Sequence, residues 1–64
     1  MDGLDKARDY FGSQAKLAAA MGVGPMAVSS WRKRGVPARR AIQIEQLTNG
    51  EVTASELCPE LFAA

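Results

Sequence analysis

The chain has 64 residues, 47% of them hydrophobic, and eight Lys and Arg balance seven Asp and Glu to a net charge of +1. We expect a chain of this length to form one domain, residues 1–64, whose small core a partner surface would help to stabilise. Because it has no histidine, no Gly-rich phosphate loop and no serine nucleophile elbow, we expect no catalysis, no metal and no cofactor.

The cysteine content and the N-terminal sequence indicate where the protein works. Cys58 is the only cysteine, which excludes an intrachain disulfide and fits a reducing compartment. The first residues include Asp2 and Asp5, where a secretory signal would be basic, and no apolar run approaches the ~20 residues that span a bilayer. We therefore expect a cytoplasmic protein with no membrane partner.

Residues 4–11 predict a first helix, which Gly12 ends. Four side chains are predicted to share the side that closes the core, namely Leu4, Ala7, Tyr10 and Phe11. In so small a domain, the two aromatic rings are expected in the core rather than stacked on a ligand.

A second helix follows, with Ser13 placed as its N-cap. Its apolar residues fall at i, i+1 and i+4 and so form one face, made of Leu17, Ala18 and Met21. Gly22 ends this helix, because glycine adopts a left-handed backbone there without steric cost. The small Ala18 lets another helix cross closely.

A third helix is predicted over residues 25–34, because Gly24 is an acceptable N-cap and Pro25 is favoured at the first helical position. At ~100° per residue, it has two distinct faces. The inward face carries Ala27, Val28 and Trp31. The opposite face, here called the outer stripe, consists of Met26, Ser29, Ser30 and Lys33.

The outer stripe has the chemistry of a surface that contacts DNA bases. It contains no acid, and Arg32 and Arg34 lie on its two flanks. Serine hydroxyls and Lys33 can donate hydrogen bonds to base edges in the major groove, and Met26 can contact a thymine methyl. Two helices around a tight turn are a known way to present one helix to DNA. The outer stripe is therefore our candidate set of base contacts.

The pattern of the helix pair resembles a known DNA-binding motif: Gln14, Ala18, Gly22, Val23, Val28 and Trp31. It is similar to the helix-turn-helix of phage Cro repressors, and the wider frame resembles the Cro-related, YdaS-type regulators. The segments that carry the wider resemblance are Phe11-Gly-Ser-Gln, Ala27-Val-Ser-Ser-Trp, Gly35-Val-Pro-Ala, Ala41-Ile-Gln-Ile-Glu, Val52-Thr and Leu57-Cys-Pro-Glu-Leu-Phe.

The resemblance implies roles for individual residues. Gln14 corresponds to a phosphate-contacting glutamine, and the outer stripe would face base edges. Gly24-Pro25 departs from the pattern, because many relatives carry polar residues there. Operator DNA is the implied partner. With the cations of the chain, the candidate phosphate contacts are Ser13, Gln14, Lys16, Arg32, Arg34, Arg39 and Arg40.

The charges are unevenly distributed along the chain. Five of the eight cations lie between Arg32 and Arg40, and four glutamates follow without a cation among them. Such a patch favours a polyanionic partner, although a basic run is also common on a simple solvated face.

Residues 38–48 predict a fourth helix, and Asn49-Gly50 is a strong terminator. Its apolar face is predicted to contain Ala41, Ile44 and Leu47 at spacing three, with Ile42 extending it. The alternation of Ile42 and Ile44 also permits a strand, but that pattern fails at Arg40 and Gln46, so a helix is preferred.

The last segment decides the fold class. Thr53-Ala-Ser-Glu56 matches a capping box, in which the first and last side chains cap one helical turn, and Pro59 prevents a long helix. We predict an all-α, lambda-repressor-like domain of five helices, the last one short. The alternative is an α+β fold with a C-terminal β-hairpin turning at Asn49-Gly50.

Two functions are compatible with these features. The preferred hypothesis is a Cro-type repressor that occupies double-stranded operator DNA as a homodimer, because one small domain contacts few base pairs. The alternative is an antitoxin-like or phage regulatory module that binds another protein. Four apolar residues are candidates for a dimer interface, or equally for the core of the monomer: Val52, Leu57, Leu61 and Phe62.

Overall fold

A computed structural model describes residues 3–59, and within them it contains helices and no strand. The elements are α1 Gly3–Phe11, α2 Gln14–Met21, α3 Pro25–Arg34, α4 Ala38–Leu47 and α5 Ala54–Leu57. The predicted all-α fold is confirmed. The hairpin alternative is not supported, because Asn49 and Gly50, with φ of 54° and 83°, close α4 instead of joining two strands.

The turn between α2 and α3 follows the predicted local signals. Ser13 Oγ accepts a hydrogen bond from the backbone N–H of Lys16 at 3.1 Å, which caps the start of α2. Gly22 is left-handed, with φ of 73°, and the N–H of Val23 then bonds to the carbonyl of Ala18 at 3.0 Å. These contacts end α2 and direct the chain into α3 within three residues.

The core lies between the helices and has contributions from all five. α2 packs between α1 and α3, and α5 packs against both α4 and α1. The side chains of Leu17, Val28 and Ile44 are fully buried, and Trp31 is buried on the inward face of α3 as predicted. Burial of this face of α3 leaves the outer stripe turned away from the core.

Tyr10 departs from its predicted place in the core. Its side chain is 47% exposed, and its ring contacts the half-buried ring of Phe11 edge to face, with 5.1 Å between ring centroids. At 100° per residue, Tyr10 lies about 120° around α1 from Leu4. The expectation that Tyr10 belongs to the core side of α1 is therefore wrong.

The buried face of α4 also differs from the prediction. Ala41 and Ile44 are buried as expected, but Ile42 and Leu47 are exposed and Thr48 is fully buried. Positions at spacing three drift around a helix, so Leu47 lies about 120° from Ala41, whereas Thr48 lies between Ala41 and Ile44. The helix ends at Leu47 with Thr48 as its C-cap, one residue earlier than predicted.

The capping box predicted for α5 shares its glutamate with α1. Thr53 Oγ1 accepts from the N–H of Glu56 at 3.2 Å, as the motif requires. The Glu56 carboxylate pairs with Lys6 Nζ at 2.8 Å, which ties α5 to α1 and lowers the pKa of Glu56; hydrogen bonds from the side chain and backbone of Thr53 lower it further. Glu45 from α4 also caps the helix start, with Oε1 accepting from the N–H of Ala54 at 2.7 Å.

Candidate DNA interface

The structure brings the four residues of the outer stripe together on one exposed surface. Met26 is 85% exposed, and Ser29, Ser30 and Lys33 are exposed beside it. With Arg34, they line a shallow depression of about 460 Å³. A hydroxyl-bearing surface with a thioether and an ammonium group, and no carboxylate, can donate hydrogen bonds to an anionic or carbonyl-rich ligand.

Gln14 lies against the start of α3. Its Nε2 donates to Ser29 Oγ at 3.0 Å and to the backbone carbonyl of Pro25 at 3.3 Å. The first residue of α2 is thereby joined directly to the outer stripe. The sequence indicated Gln14 only through a resemblance, and the contact with Ser29 was not foreseen.

Most cations of α2, α3 and α4 differ from those of α1 in their partners. Within residues 3–59, no ion pair to an acid is formed by Lys16, Lys33, Arg34, Arg39 or Arg40. The sequence explains this in part, because residues 10–44 contain no Asp or Glu. Lys6 and Arg8 on α1 are instead paired with acids, Lys6 with Glu56 and Arg8 with Asp9. The unpaired cations thus belong to α2, α3 and α4.

Arg32 is the exception among the cations of α3. Its Nη1 lies 2.9 Å from Asp5 Oδ1 on α1, in a partly exposed ion pair. The hydrogen bond from Arg32 holds the pKa of Asp5 below its ordinary value of 3.8. A phosphate contact by Arg32 would have to compete with this carboxylate, which the sequence analysis did not identify as its partner.

Arg40 is directed by a residue that the sequence analysis passed over. Its Nη1 donates to Gln43 Oε1 at 2.8 Å, and Gln43 Nε2 donates to the carbonyl of Met21 at 3.4 Å. Gln43 therefore links the end of α2 to the guanidinium of Arg40. A Gln three residues after an Arg on one helix was a readable signal for the first of these contacts.

The predicted dimer residues lie in two different situations. Val52 is 1% exposed and Leu57 is 7% exposed, and both belong to the chain's own core. Both residues therefore match the alternative given for them in the sequence, a place in the core of the monomer. Leu61 and Phe62 lie outside the described residues, so the location of a dimer interface stays a prediction.

Residues 3–59 contain no group of three or more Cys, Asp or Glu side chains placed to hold a metal ion. Their helices are also too short to cross a membrane.

The chain is similar to a family of bacterial proteins, to two curated proteins and to a solved structure. Residues 4–64 match the family described as "Bacterial toxin YdaS". The chain is 42% identical over 52 residues, 78% of this chain and 53% of the relative, to a protein named as a transcriptional regulator, YdaS of Escherichia coli (strain K12). It is also 40% identical over 43 residues, 67% of this chain and 57% of the relative, to the repressor protein of the division inhibition gene dicB of the same strain.

The chain spans about half the length of these two curated relatives. A solved structure matches along its whole length, the Cro protein from a prophage element, Xfaso 1, in Xylella fastidiosa strain Ann-1. That match has a TM-score of 0.90, 48% sequence identity and full coverage of both chains. The resemblance seen in the sequence is confirmed, and the chain belongs to the family described as the bacterial toxin YdaS family.

Proposed function

We propose that this chain is a sequence-specific, double-stranded DNA-binding transcriptional regulator that places α3 in the major groove of an operator and represses by occupying it. One observation carries the proposal: the outer stripe is exposed, free of carboxylates and adjacent to cations that no acid neutralises within the described residues. The names of the relatives, a transcriptional regulator, a repressor and a Cro protein, support the same function.

The proposed contacts divide into two kinds. Ser29, Ser30 and Lys33 would hydrogen-bond to base edges, and Met26 would contact a thymine methyl. The unpaired cations other than Lys33 would contact phosphates, together with Ser13, whose hydroxyl hydrogen has no acceptor within residues 3–59. Arg32 would join them only after leaving Asp5.

Two copies would be needed for tight binding. The outer stripe offers few polar groups, and one such helix contacts only part of a typical operator. We propose a homodimer on DNA in which the two α3 helices enter successive major grooves, ~34 Å apart. A two-fold arrangement doubles the number of base contacts without requiring any further reading residue.

Binding of a labelled duplex across a salt series tests the proposal. If four cations per copy neutralise phosphates at ~0.9 counterion each, affinity per copy falls about 150-fold between ~50 and ~200 mM salt. A flat salt response, or no binding at ~50 mM salt, would contradict DNA binding. It would favour instead the module that binds another protein.

Matched variants separate phosphate contacts from base contacts. Arg39→Ala should weaken all duplexes alike and lower the salt slope by ~0.9 per bound copy. Arg8→Ala is the control, because Arg8 lies on α1 and already pairs with Asp9, so its loss should leave the slope unchanged. Lys33→Ala should change which duplex is preferred, by ~1–3 kcal/mol at one base pair. A sequence-selective effect of Arg39→Ala would move Arg39 into the base-reading group.

A further inference from the structure

The orientation of the Gln14 amide is determined by its neighbours. An amide oxygen and nitrogen are hard to tell apart by shape, so the orientation is assigned from hydrogen-bond partners. The backbone carbonyl of Pro25 can only accept, and it lies 3.3 Å from the Gln14 amide atom assigned as Nε2. The group next to Pro25 is therefore the NH₂, and the same NH₂ reaches Ser29 Oγ at 3.0 Å.

This orientation leaves Gln14 with an acceptor for an external ligand. The NH₂ has two hydrogens, and it has two acceptors within reach, Ser29 and Pro25. What remains on the amide is Oε1, which cannot hydrogen-bond to a phosphate oxygen because both are acceptors. In this arrangement, the Gln14 side chain does not supply the phosphate contact that the family resemblance implies.

The same contact makes Ser29 a hydrogen-bond donor. An amide nitrogen cannot accept, so Ser29 Oγ must be the acceptor of the Gln14 bond and its own hydrogen is available. Helical serines often turn that hydrogen back to the carbonyl four residues earlier, which here is Pro25. In this structure Gln14 donates to that carbonyl and Ser29 does not, and the Ser29 hydroxyl has no acceptor within residues 3–59. Ser29 is exposed, so its hydrogen is presented to a ligand.

We propose that Gln14 is a positioning residue that fills one lone pair of Ser29 Oγ and leaves the Ser29 hydrogen directed outward, so that Ser29 donates to a base acceptor at its position in the major groove. Guanine N7 and O6, adenine N7 and thymine O4 are the acceptors that the major groove offers. The proposal rests on the proposed DNA-binding function. A phosphate oxygen is also an acceptor, and the experiment distinguishes it from a base edge.

The wild-type protein is first used to select duplexes from a randomised library. Sequencing of the selected duplexes identifies the preferred site, and that site is then the probe for the variants. Ser29→Ala should reduce the preference at one base pair per half-site by about 2- to 12-fold, the range for a single hydrogen bond. Gln14→Glu should reduce the preference at that same base pair, because a carboxylate would accept the Ser29 hydrogen and turn it inward. The double variant should lose no more at that base pair than either single variant.

Ala15→Glu is the matched control for the added negative charge. Ala15 is exposed and follows Gln14 on α2 without contacting Ser29 through any hydrogen bond. It should weaken all duplexes alike and leave the preferred sequence unchanged. If Ser29→Ala also weakens all sequences alike, Ser29 contacts phosphate and the base-edge assignment is overturned. If only Ser29→Ala changes the preference, the positioning role of Gln14 is overturned.

A measurement on the free protein separates this proposal from the proposed function. The two hydrogens of the Gln14 side-chain NH₂ should give NMR resonances with low temperature coefficients, and Ser29→Ala should raise the coefficient of one of them. Solvent-like coefficients in the wild-type protein would overturn the positioning role even if DNA binds. Hydrogen-bonded resonances with no duplex binding would refute the proposed function while leaving the Gln14 contact intact.

Discussion

Replacement of Gly3 by alanine tests how closely α1 and α5 approach. Gly3 is buried at the first position of α1, and a Cβ added there would lie 2.8 Å from the backbone carbon and oxygen of Glu56 and 3.0 Å from the nitrogen of Leu57. Ordinary carbon contacts begin near ~3.4 Å, so α1 and α5 would have to separate by about 0.6 Å. The obstacle is backbone, which no side-chain rotation removes.

We expect Gly3→Ala to destabilise the domain by about 1–2 kcal/mol. Overpacking costs ~1–3 kcal/mol. The higher helix propensity of alanine offsets part of this cost, because alanine is favoured over glycine by ~1 kcal/mol in a helix interior and by less at a helix start. Urea unfolding followed by circular dichroism measures this difference. A Gly3→Ala protein as stable as the wild type would refute the close approach of α5 to α1.

Gly24→Ser is a matched control for a change at glycine. A Cβ at Gly24 would meet nothing within 4 Å, and Gly24 caps α3 without a side-chain hydrogen bond. Serine is a better N-cap than glycine by a few tenths of a kcal/mol, so this variant should be slightly more stable. Destabilisation by both variants would indicate a general intolerance of change at these helix starts.

Two further predictions concern buried polarity and pH. Thr48→Val should lower the free energy of unfolding, measured in urea, by ~1–3 kcal/mol. Thr48 Oγ1 accepts from the N–H of Val52 at 3.1 Å, and loss of the hydroxyl leaves that buried donor unpaired. Thr48→Ser keeps the hydroxyl and should lower the free energy of unfolding by less. Arg32 lowers the pKa of Asp5 below 3.8 in the folded protein. The stability that this pair contributes is therefore complete above pH 3.8 and declines as the pH falls through the lower folded-state pKa. The thermal unfolding temperature of Asp5→Asn should accordingly depend less on pH between ~5 and ~2 than that of the wild type.

Local rules were sufficient to predict the helix pair. The cap at Ser13, the left-handed Gly22 and the proline at the start of α3 each act within a few residues, so their effect is readable without a fold. The helical period then placed Trp31 inward and Met26 outward, because a ten-residue helix keeps its faces aligned.

Prediction failed where a polar side chain replaced an apolar one in the core. Counting apolar residues selected Leu47 for the buried face of α4, but the hydroxyl of Thr48 can be buried there because it donates to the carbonyl of its own helix at Ile44, at 2.9 Å. The angle around the helix favours Thr48 over Leu47, and the N–H of Val52 in the following loop adds a hydrogen bond to Thr48 Oγ1 at 3.1 Å.

Contacts between residues distant in sequence could not be predicted, because they depend on how the helices pack. The Arg32–Asp5 pair joins residues 27 positions apart, and the Gln14–Ser29 bond joins residues 15 apart. Each depends on how α3 packs against another helix, which a helical wheel does not contain. The sequence therefore predicted the composition of the candidate interface but could not predict which of its groups are already engaged.

The engaged groups change what the interface requires of a partner copy. Asp5 holds Arg32, and Gln14 turns its amide hydrogens toward Ser29 and Pro25, so two of the seven proposed phosphate contacts are directed into the protein. Val52 and Leu57 are likewise committed to the core. With fewer free phosphate ligands per copy, tight binding depends more strongly on two copies sharing one operator. A duplex with one half-site should therefore bind far more weakly than a duplex with two. The difference should exceed what the lost contacts alone account for, because the second binding event would no longer be intramolecular.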